Sequence, residues 1–434
     1  MKRKFYQKLI SWKENNLSTP LMVVGARQIG KTYLIDEFCK NNFEDYIYIN
    51  LDKSENIQKI FDETINPEEI LTQLELILNK TIDSEKTILF FDEIQVSERA
   101  ISSLKYFCES KKNYKIICAG SLLGVKINRF NASFPVGKVL IEYMYPMDFE
   151  EFLWALGRED LAFKIKSCYT ENLPMPESIH KILTDIWRTY LCVGGMPQVI
   201  IDYLNAEKNL LKMSEAIPNT IITAYLSDMS KYTMYKSESI KISSIYERMP
   251  AQLAKENTKF NYKIISDYAC KRDFETALNW LISSNLLYKC SLVTIPQIPL
   301  KAYADENNFK MYLSDVGLLR VLCEIRFNQI MSNEEFIFKG AIAENYVAQT
   351  LKSNGFTLYY WKSQSIAEVD FLINTSNGII PIEVKASDNI TSKSLNSYIK
   401  KYNPAYGIRL SIKNFGFQNG IKSVPLYAAY CIEQ

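Results

Sequence analysis

Histidine is nearly missing from this chain: one, His180, in 434 residues. Without a second, His-rich metal sites and His-based nucleophile triads confined to the chain are excluded. His180 itself falls in a helical stretch and reads as a partly exposed helix residue. The nine cysteines include no C-x-x-C pair and no zinc spacing. An odd number of thiols in mostly apolar surroundings fits buried, reduced cysteines. No apolar run approaches the roughly 18 residues that span a bilayer. The start, Met1-Lys2-Arg3-Lys4-Phe5, is basic, but Tyr6 to Trp12 carries polar residues and no small-residue cleavage site follows. The expectation is a cytoplasmic protein with no membrane partner. A dominant charge is lacking too, since 51 basic and 49 acidic residues leave +2. Any nucleic-acid surface must therefore be local. What is present, 47% hydrophobic and 23% charged residues, is the composition of an ordinary globular chain with room for roughly two to four domains.

The most informative stretch is Val23-Val24-Gly25-Ala26-Arg27-Gln28-Ile29-Gly30-Lys31-Thr32. Leu21 to Val24 reads as a buried parallel strand, and Lys31 to Phe38 as a helix with an apolar stripe. Between them lies G-x-x-x-x-G-K-T. A strand-loop-helix of this kind turns backbone N–H groups inward around an anion, at the positive end of a helix dipole. Gly25, Ala26, Arg27, Gln28, Ile29 and Gly30, continued by Lys31, Thr32 and Tyr33, would surround a nucleotide's phosphates. Gly25 and Gly30 permit unusual dihedrals and close approach. Lys31 would reach the β- and γ-phosphates, and the Thr32 hydroxyl would ligate Mg²⁺.

Roughly 60 residues on, Thr87-Ile88-Leu89-Phe90-Phe91-Asp92-Glu93 is an apolar strand ending in two acids, where open α/β sheets bind ligands. It has the form of a Walker B motif. Asp92 would hold Mg²⁺ through its water shell, and Glu93 would orient and deprotonate the attacking water. Between the motifs, Tyr46 to Ile49 reads as a strand, and Glu55 to Glu63 and Glu68 to Asn79 as helices. Lys115 to Ser121 is a further buried strand that could lie beside the phosphate loop and present Ser121 to the γ-phosphate or the water. A plain strand-to-turn role for Ser121 is the alternative.

These segments, with Ala119-Gly120-Ser121-Leu122-Leu123-Gly124, Tyr145-Pro146-Met147-Asp148-Phe149-Glu150-Glu151-Phe152 and Val193-Gly194-Gly195-Met196-Pro197, resemble a group of prokaryotic AAA-type ATP-binding proteins. The resemblance runs nearly to the C-terminus. It implies an additional-strand ATPase core, ATP with Mg²⁺ as cofactor, and Ser121 as the sensor position. Where many members carry Gly-Arg this chain has Gly137-Lys138, and lysine lacks the planar fork of an arginine finger. Arg129 is a nearby alternative. ATP over GTP also rests on the resemblance, since no guanine-reading N-K-x-D stretch is evident.

Asp148 to Leu156 reads as a helix ended by Gly157, and helical patterns continue to Ser230 as a lid or connector. A winged-helix order follows: helix Ile240 to Ala254, a short helix from Asn261 to Ala269, helix Arg272 to Ser283, then strands Leu286 to Val293 and Phe309 to Leu313. Such a module either reads DNA through its third helix, which opens on Lys271 and Arg272, or packs against protein.

Beyond it, helix Ala341 to Lys352 carries Glu344. Strands follow at Leu358 to Trp361, Glu368 to Ile373 and Ile379 to Lys385, then helix Thr391 to Lys401 and strand Tyr406 to Leu410. Alternation puts Glu383 and Lys385 on one side, where Asp370 can join them. The order, with Glu344, Asp370, Glu383 and Lys385, resembles the PD-(D/E)xK, or restriction-endonuclease-like, superfamily. Two carboxylates about 4 Å apart repel by roughly 4 kcal/mol at an effective dielectric near 20, so a divalent cation is a natural reason to gather them. Oxygen ligands favour Mg²⁺ or Mn²⁺. Lys385 would position or stabilise a metal-activated hydroxide, with Glu344 acting through water. Charges at strand ends of a structural domain are the alternative.

The expected fold is α/β throughout: a P-loop AAA-like core at 1–157, a helical lid at 158–230, a winged-helix module at 231–325 and a nuclease-like domain at 326–434. The expected function is Mg²⁺-dependent ATP hydrolysis coupled to a DNA-related, endonucleolytic C-terminal domain. Its rival is a nucleotide-switched scaffold that binds a protein partner. ATP, DNA, a protein partner and further copies of the chain are the candidate partners.

Overall fold

Leu21, Met22, Val23 and Val24 are all buried, as the uninterrupted apolar run requires of a strand covered on both faces. The computed structural model describes residues 1–15, 18–121, 123–128, 134–231, 236–255, 259–332, 338–363, 367–386 and 392–433. Arg129 and Thr391 lie outside them. The chain divides into two compact units, residues 2–145 with 283–285, and residue 1 with 146–282 and 286–434.

In the amino-terminal unit the elements are α1 (Phe5–Asn15), β1 (Leu21–Val24), α2 (Lys31–Asn42), β2 (Asp45–Asn50), α3 (Glu55–Glu63), α4 (Pro67–Leu78), β3 (Thr87–Asp92), α5 (Glu98–Glu109), β4 (Lys115–Gly120), α6 (Leu123–Asn128) and β5 (Leu140–Tyr143). The five strands run parallel in the order β2-β3-β4-β1-β5. On one face Ile57, Phe61, Leu74, Ile101 and Leu104 pack on Met22, Ile49, Leu89, Phe91 and Ile116. The α4 start follows its signals: Pro67 stands in the first turn and the Asn66 side chain accepts from Glu68 N, filling an otherwise orphaned donor. β5 has no clear signature. It is a half-exposed edge strand, set by its pairing with β1 rather than by its own residues.

The larger unit begins with α7 (Phe149–Ala155), α8 (Glu159–Glu171), α9 (Glu177–Val193), α10 (Pro197–Asn205), α11 (Ala216–Lys231), α12 (Lys236–Glu247), α13 (Met249–Leu253) and α14 (Lys271–Ser283). A capping box of Asp148 and Glu151 starts α7, and Gly157, at φ 75°, follows its end. The expected helix from Ile240 to Ala254 is broken at Arg248 into α12 and α13. The expected short helix at Asn261 to Ala269 is absent: only a 3-10 turn, Tyr262–Ile264, forms, capped by the Asn261 side chain. Ile264 and Ile265 are half-buried and Tyr268 is exposed. With no apolar stripe to bury, a short helix gains too little to form.

Then come β6 (Leu287–Val293), β7 (Ala304–Leu313), α15 (Val316–Leu322), α16 (Phe327–Met331), α17 (Lys339–Ser353), β8 (Tyr359–Lys362), β9 (Glu368–Thr375), β10 (Gly378–Lys385), α18 (Lys393–Tyr402), β11 (Gly407–Ser411), β12 (Gly416–Gln418) and β13 (Ile421–Pro425). β6 and β7 form the expected antiparallel hairpin, and β6 also pairs with β8 in parallel. One eight-stranded sheet, β12-β13-β11-β10-β9-β8-β6-β7, therefore runs through both the 231–325 and the 326–434 stretches.

The Gly194-Gly195 pair has a packing reason. A Cβ on Gly194 would lie 2.4 Å from Asp315 Oδ1, and one on Gly195 2.1 Å from the Met147 carbonyl oxygen. Gly195 N donates to Asp315 Oδ2 at 2.6 Å, while Asp315 Oδ1 caps α15 by accepting from Leu318 N. Burial pushes the Asp315 carboxyl up to about 6, against these hydrogen bonds. His180 is half-buried. Its Nδ1 meets Tyr427 Oη at 2.8 Å and its Nε2 meets the Ile412 carbonyl at 3.0 Å. None of the nine cysteines is joined in a disulfide, and no helix among the described residues is long and apolar enough to cross a membrane.

Candidate functional site

The loop between β1 and α2 turns through two left-handed residues, Gln28 at φ 65° and Gly30 at φ 90°. Gly30 needs that conformation, which glycine adopts without a Cβ penalty. Gly25 is required for a different reason: a Cβ there would lie 2.3 Å from the Met144 carbonyl oxygen. Lys31, at the first position of α2, is buried and bends back to donate to the carbonyls of Gly25 at 2.9 Å and Ala26 at 2.7 Å. Burial brings its ammonium down to about 8, against the raising influence of Glu93 and then Asp92, with Arg27 lowering it further. Tyr33 is exposed on α2.

The two motifs meet. Thr32 Oγ1 donates to Asp92 Oδ2 at 2.9 Å, across 60 positions of sequence. Tyr48 Oη donates to the same oxygen at 3.1 Å, and Glu93 N to Asp92 Oδ1 at 3.0 Å. Burial pushes the Asp92 carboxyl up, and the hydrogen bond from Thr32 draws it down. A hydroxyl and a carboxylate brought together are hard oxygen donors of the kind Mg²⁺ takes, so Thr32 and Asp92 fit that ion. Glu93 itself takes a left-handed backbone, φ 53° and ψ 38°. Its Oε2 accepts from Gln95 Nε2. Ser121 is buried. Because Val24 pairs with Gly120, it leaves β4 level with Gly25, beside the loop. Lys138 is ion-paired to Glu109 at 3.2 Å.

The acidic residues of the larger unit also gather. Glu383 on β10 is buried, with Oε1 3.2 Å from Lys385 Nζ and Oε2 without a hydrogen-bond partner. Asp370 Oδ2 on β9 accepts from Val384 N at 2.8 Å. Burial, then Glu344, hold the Asp370 carboxyl well above the ordinary range, against Lys310. Glu344 on α17 is engaged otherwise: Lys310 Nζ donates to its Oε1 at 3.0 Å, and Tyr312 Oη donates to the same atom. Lys310 also contacts Glu368 Oε1 at 2.8 Å, whose other oxygen is 3.3 Å from Lys362. Lys310 is buried. Burial opposes its charge, but Glu344, Asp370 and Glu368 hold the ammonium well above its usual value. Among the described residues no group of three or more His, Cys, Asp or Glu side chains could hold a metal ion.

Sequence reasoning missed four supporting residues. Lys310 and Tyr312 alternate with the apolar Phe309, Met311 and Leu313 of β7, a period-2 signal that both share a face. Arg3, in the basic start, is buried and donates to the Ile29 carbonyl at 2.8 Å and the Tyr145 carbonyl at 2.6 Å, bracing the phosphate loop. Gln95 is fully buried.

Residues 18–153 match the family model of an AAA domain. Residues 184–329 and 339–429 match two domains of unknown function, DUF8612 and DUF4143. The amino-terminal unit is accordingly a P-loop domain of AAA type. No curated protein matches the chain. Among solved structures, the Walker-type ATPase PABY2304 of Pyrococcus abyssi is similar at 15% identity, over 74% of this chain and 95% of that one, with a TM-score of 0.45. The ORC2 protein of Aeropyrum pernix, as ADPNP-ADP complexes, is similar at 14% identity over 75% and 92%, with a TM-score of 0.37. AMPPCP-bound DnaA from Aquifex aeolicus is similar at 15% over 65% and 88%, with a TM-score of 0.30.

Proposed function

We propose that the chain is a Mg²⁺-dependent ATPase. The observation that carries this reading is the Thr32–Asp92 hydrogen bond, which joins the phosphate-loop hydroxyl to the first acid of the β3 terminus. Thr32 and Asp92 would hold the Mg²⁺ of a bound nucleotide, and that ion supplies charge neutralisation at the phosphates. Lys31 exchanges the Gly25 and Ala26 carbonyls for phosphate oxygens, and the backbone N–H groups from Ala26 to Tyr33 donate to the remaining phosphate oxygens. Glu93 takes a proton from the attacking water, and Ser121 donates to the γ-phosphate or to that water. With Lys138 ion-paired, a finger arginine is not assigned to its position. Lys31→Ala is expected to abolish nucleotide binding by calorimetry, while Glu93→Gln keeps binding and loses turnover by about a hundredfold or more. Equal turnover in wild type and Glu93→Gln would sink the reading.

For the larger unit the finer reading is a nuclease-like module acting on DNA. It is favoured by the unpartnered Glu383 Oε2, an acceptor suited to a cation. Asp370 and Glu383 would hold Mg²⁺ or Mn²⁺ there with Lys385 beside them, and Glu344 would remain with Lys310 and Tyr312. A second reading, a nucleotide-switched scaffold for a protein partner or for further copies of the chain, is favoured by Lys310, which already supplies a cation to Glu344 and Glu368. Metal-dependent nicking of supercoiled DNA that is lost in Asp370→Asn supports the first. Intact DNA with Mg²⁺, Mn²⁺ and ATP supports the second.

A further inference from the structure

The β3 terminus continues beyond its acid pair as Ile94-Gln95, and the hydrolytic roles above leave Gln95 unused. Its side chain is fully buried, yet it is a polar amide on a strand-end turn where any apolar residue of similar size would fill the space. The left-handed backbone of Glu93 and the 3-10 turn Ile94–Val96 that follows reverse the chain, so the Gln95 carboxamide returns to the Glu93 carboxylate. Nε2 donates to Glu93 Oε2. The other end of the amide, Oε1, has no hydrogen-bond partner. It lies over Gly120, where a Cβ would stand 2.1 Å from Oε1 and 3.1 Å from the side-chain carbonyl carbon. The amide orientation is therefore not chosen for Oε1, which leaves a buried acceptor unsatisfied, a costly arrangement. The left-handed backbone of a non-glycine residue, Glu93, adds a further cost. Two costs of this kind at one turn are characteristic of geometry held for function.

We propose that Gln95 is the positioning residue for Glu93: its N–H fixes the carboxylate rotamer that faces the phosphate loop, and Gly120 is glycine because the Gln95 carbonyl occupies the space of a side chain. Glu93 lies near Lys31 of that loop, its charge being the strongest of those raising the buried ammonium. A carboxylate held ready before substrate arrives meets its water without searching rotamers, an effect on turnover and not on affinity. The inference rests on the ATPase reading.

The test is the kcat and KM of Gln95→Met, which keeps length and removes the donor, and of Gly120→Ala, which pushes the carboxamide away. In both, kcat is expected to fall about tenfold, the size of one lost hydrogen bond to a charged group, with KM and ADP affinity within about twofold of wild type. Gln95→Glu, which places a second carboxylate against Glu93, is expected to fall further. A kcat unchanged or raised in Gln95→Met, or KM and kcat lost together, overturns the proposal. Crystals of nucleotide-free wild type and Gln95→Met give an answer independent of turnover. Glu93 is expected to leave its rotamer in the variant, and an unmoved Glu93 overturns the proposal even if no turnover is measurable. Absent wild-type turnover with a displaced Glu93 in the variant overturns only the ATPase reading.

Discussion

Lys31 and Lys310 are both buried lysines near clustered acids, but their ammonium groups are satisfied differently. Lys31 donates to two neutral carbonyls, Gly25 and Ala26, so its charge is incompletely compensated and burial depresses it. Lys310 lies between the carboxylates of Glu344 and Glu368, and its charge is reinforced. The first arrangement suits a site that awaits an anion. The second is closed on itself: the cation that acids at a sheet end call for is already supplied by the chain. A cluster of acids thus points to a metal only after the lysines of every neighbouring strand have been placed, and β7 lies far from β9 and β10 in sequence.

The largest difference should appear in stability. Lys310→Met leaves the half-buried Glu344 and Glu368 without the cation they share and is expected to cost about 2–3 kcal/mol, read as a fall in the urea midpoint of the larger unit. Lys31→Met removes a desolvated charge whose partners are carbonyls, and its midpoint should move by less than about 1 kcal/mol. Similar losses in both would erase the distinction between the two lysines.

Nucleotide should sharpen it next. ATP at a hundred times its dissociation constant is expected to stabilise the wild-type chain by about 2.7 kcal/mol, seen as a raised thermal midpoint. Lys31→Ala should lose that rise and Lys310→Arg should keep it. A rise that survives in Lys31→Ala would place nucleotide elsewhere.

The smallest effect is in pH. Lys31 loses its proton near 8 in the free protein, and a bound triphosphate favours the charged form. Affinity should be greatest below about pH 8 and decline by up to about tenfold per unit above it. Calorimetry at pH 8.5 in buffers of different ionisation enthalpy should show proton uptake on binding. Linkage gives the matching sign for folding: between about 8 and the ordinary lysine value near 10.4 the unfolded chain holds more protons, so through this group alone the nucleotide-free protein gains stability as pH rises. Proton release on binding would contradict the assignment of Lys31.

Much of the site was legible because local chemistry specified it. The run Leu21 to Val24 could only be buried, glycine had to follow it, and the positions of Lys31 and Thr32 at a helix start are fixed by one turn of backbone. The acids at the end of Thr87 to Asp92 are likewise set by strand polarity. In the larger unit, the alternation that puts Glu383 beside Lys385 was equally plain. The helix expected at Asn261 to Ala269 failed because its apolar residues have no surface to bury. β5 was missed because an edge strand owes its existence to a neighbour.

By itself the sequence determined most strands and helices, β5 and the stretches at 240–269 apart, and that a glycine-bounded turn precedes α2, because dihedral preferences and burial periodicity act over a few residues. Only the tertiary structure decided that Thr32 meets Asp92, that Gln95 grips Glu93 over Gly120, and that Lys310 takes the place beside Glu344. Apart from the step from Glu93 to Gln95, those contacts join residues far apart along the chain, and they are selected by the sheet order and by the packing of helices on it, which bring distant segments within a few ångströms.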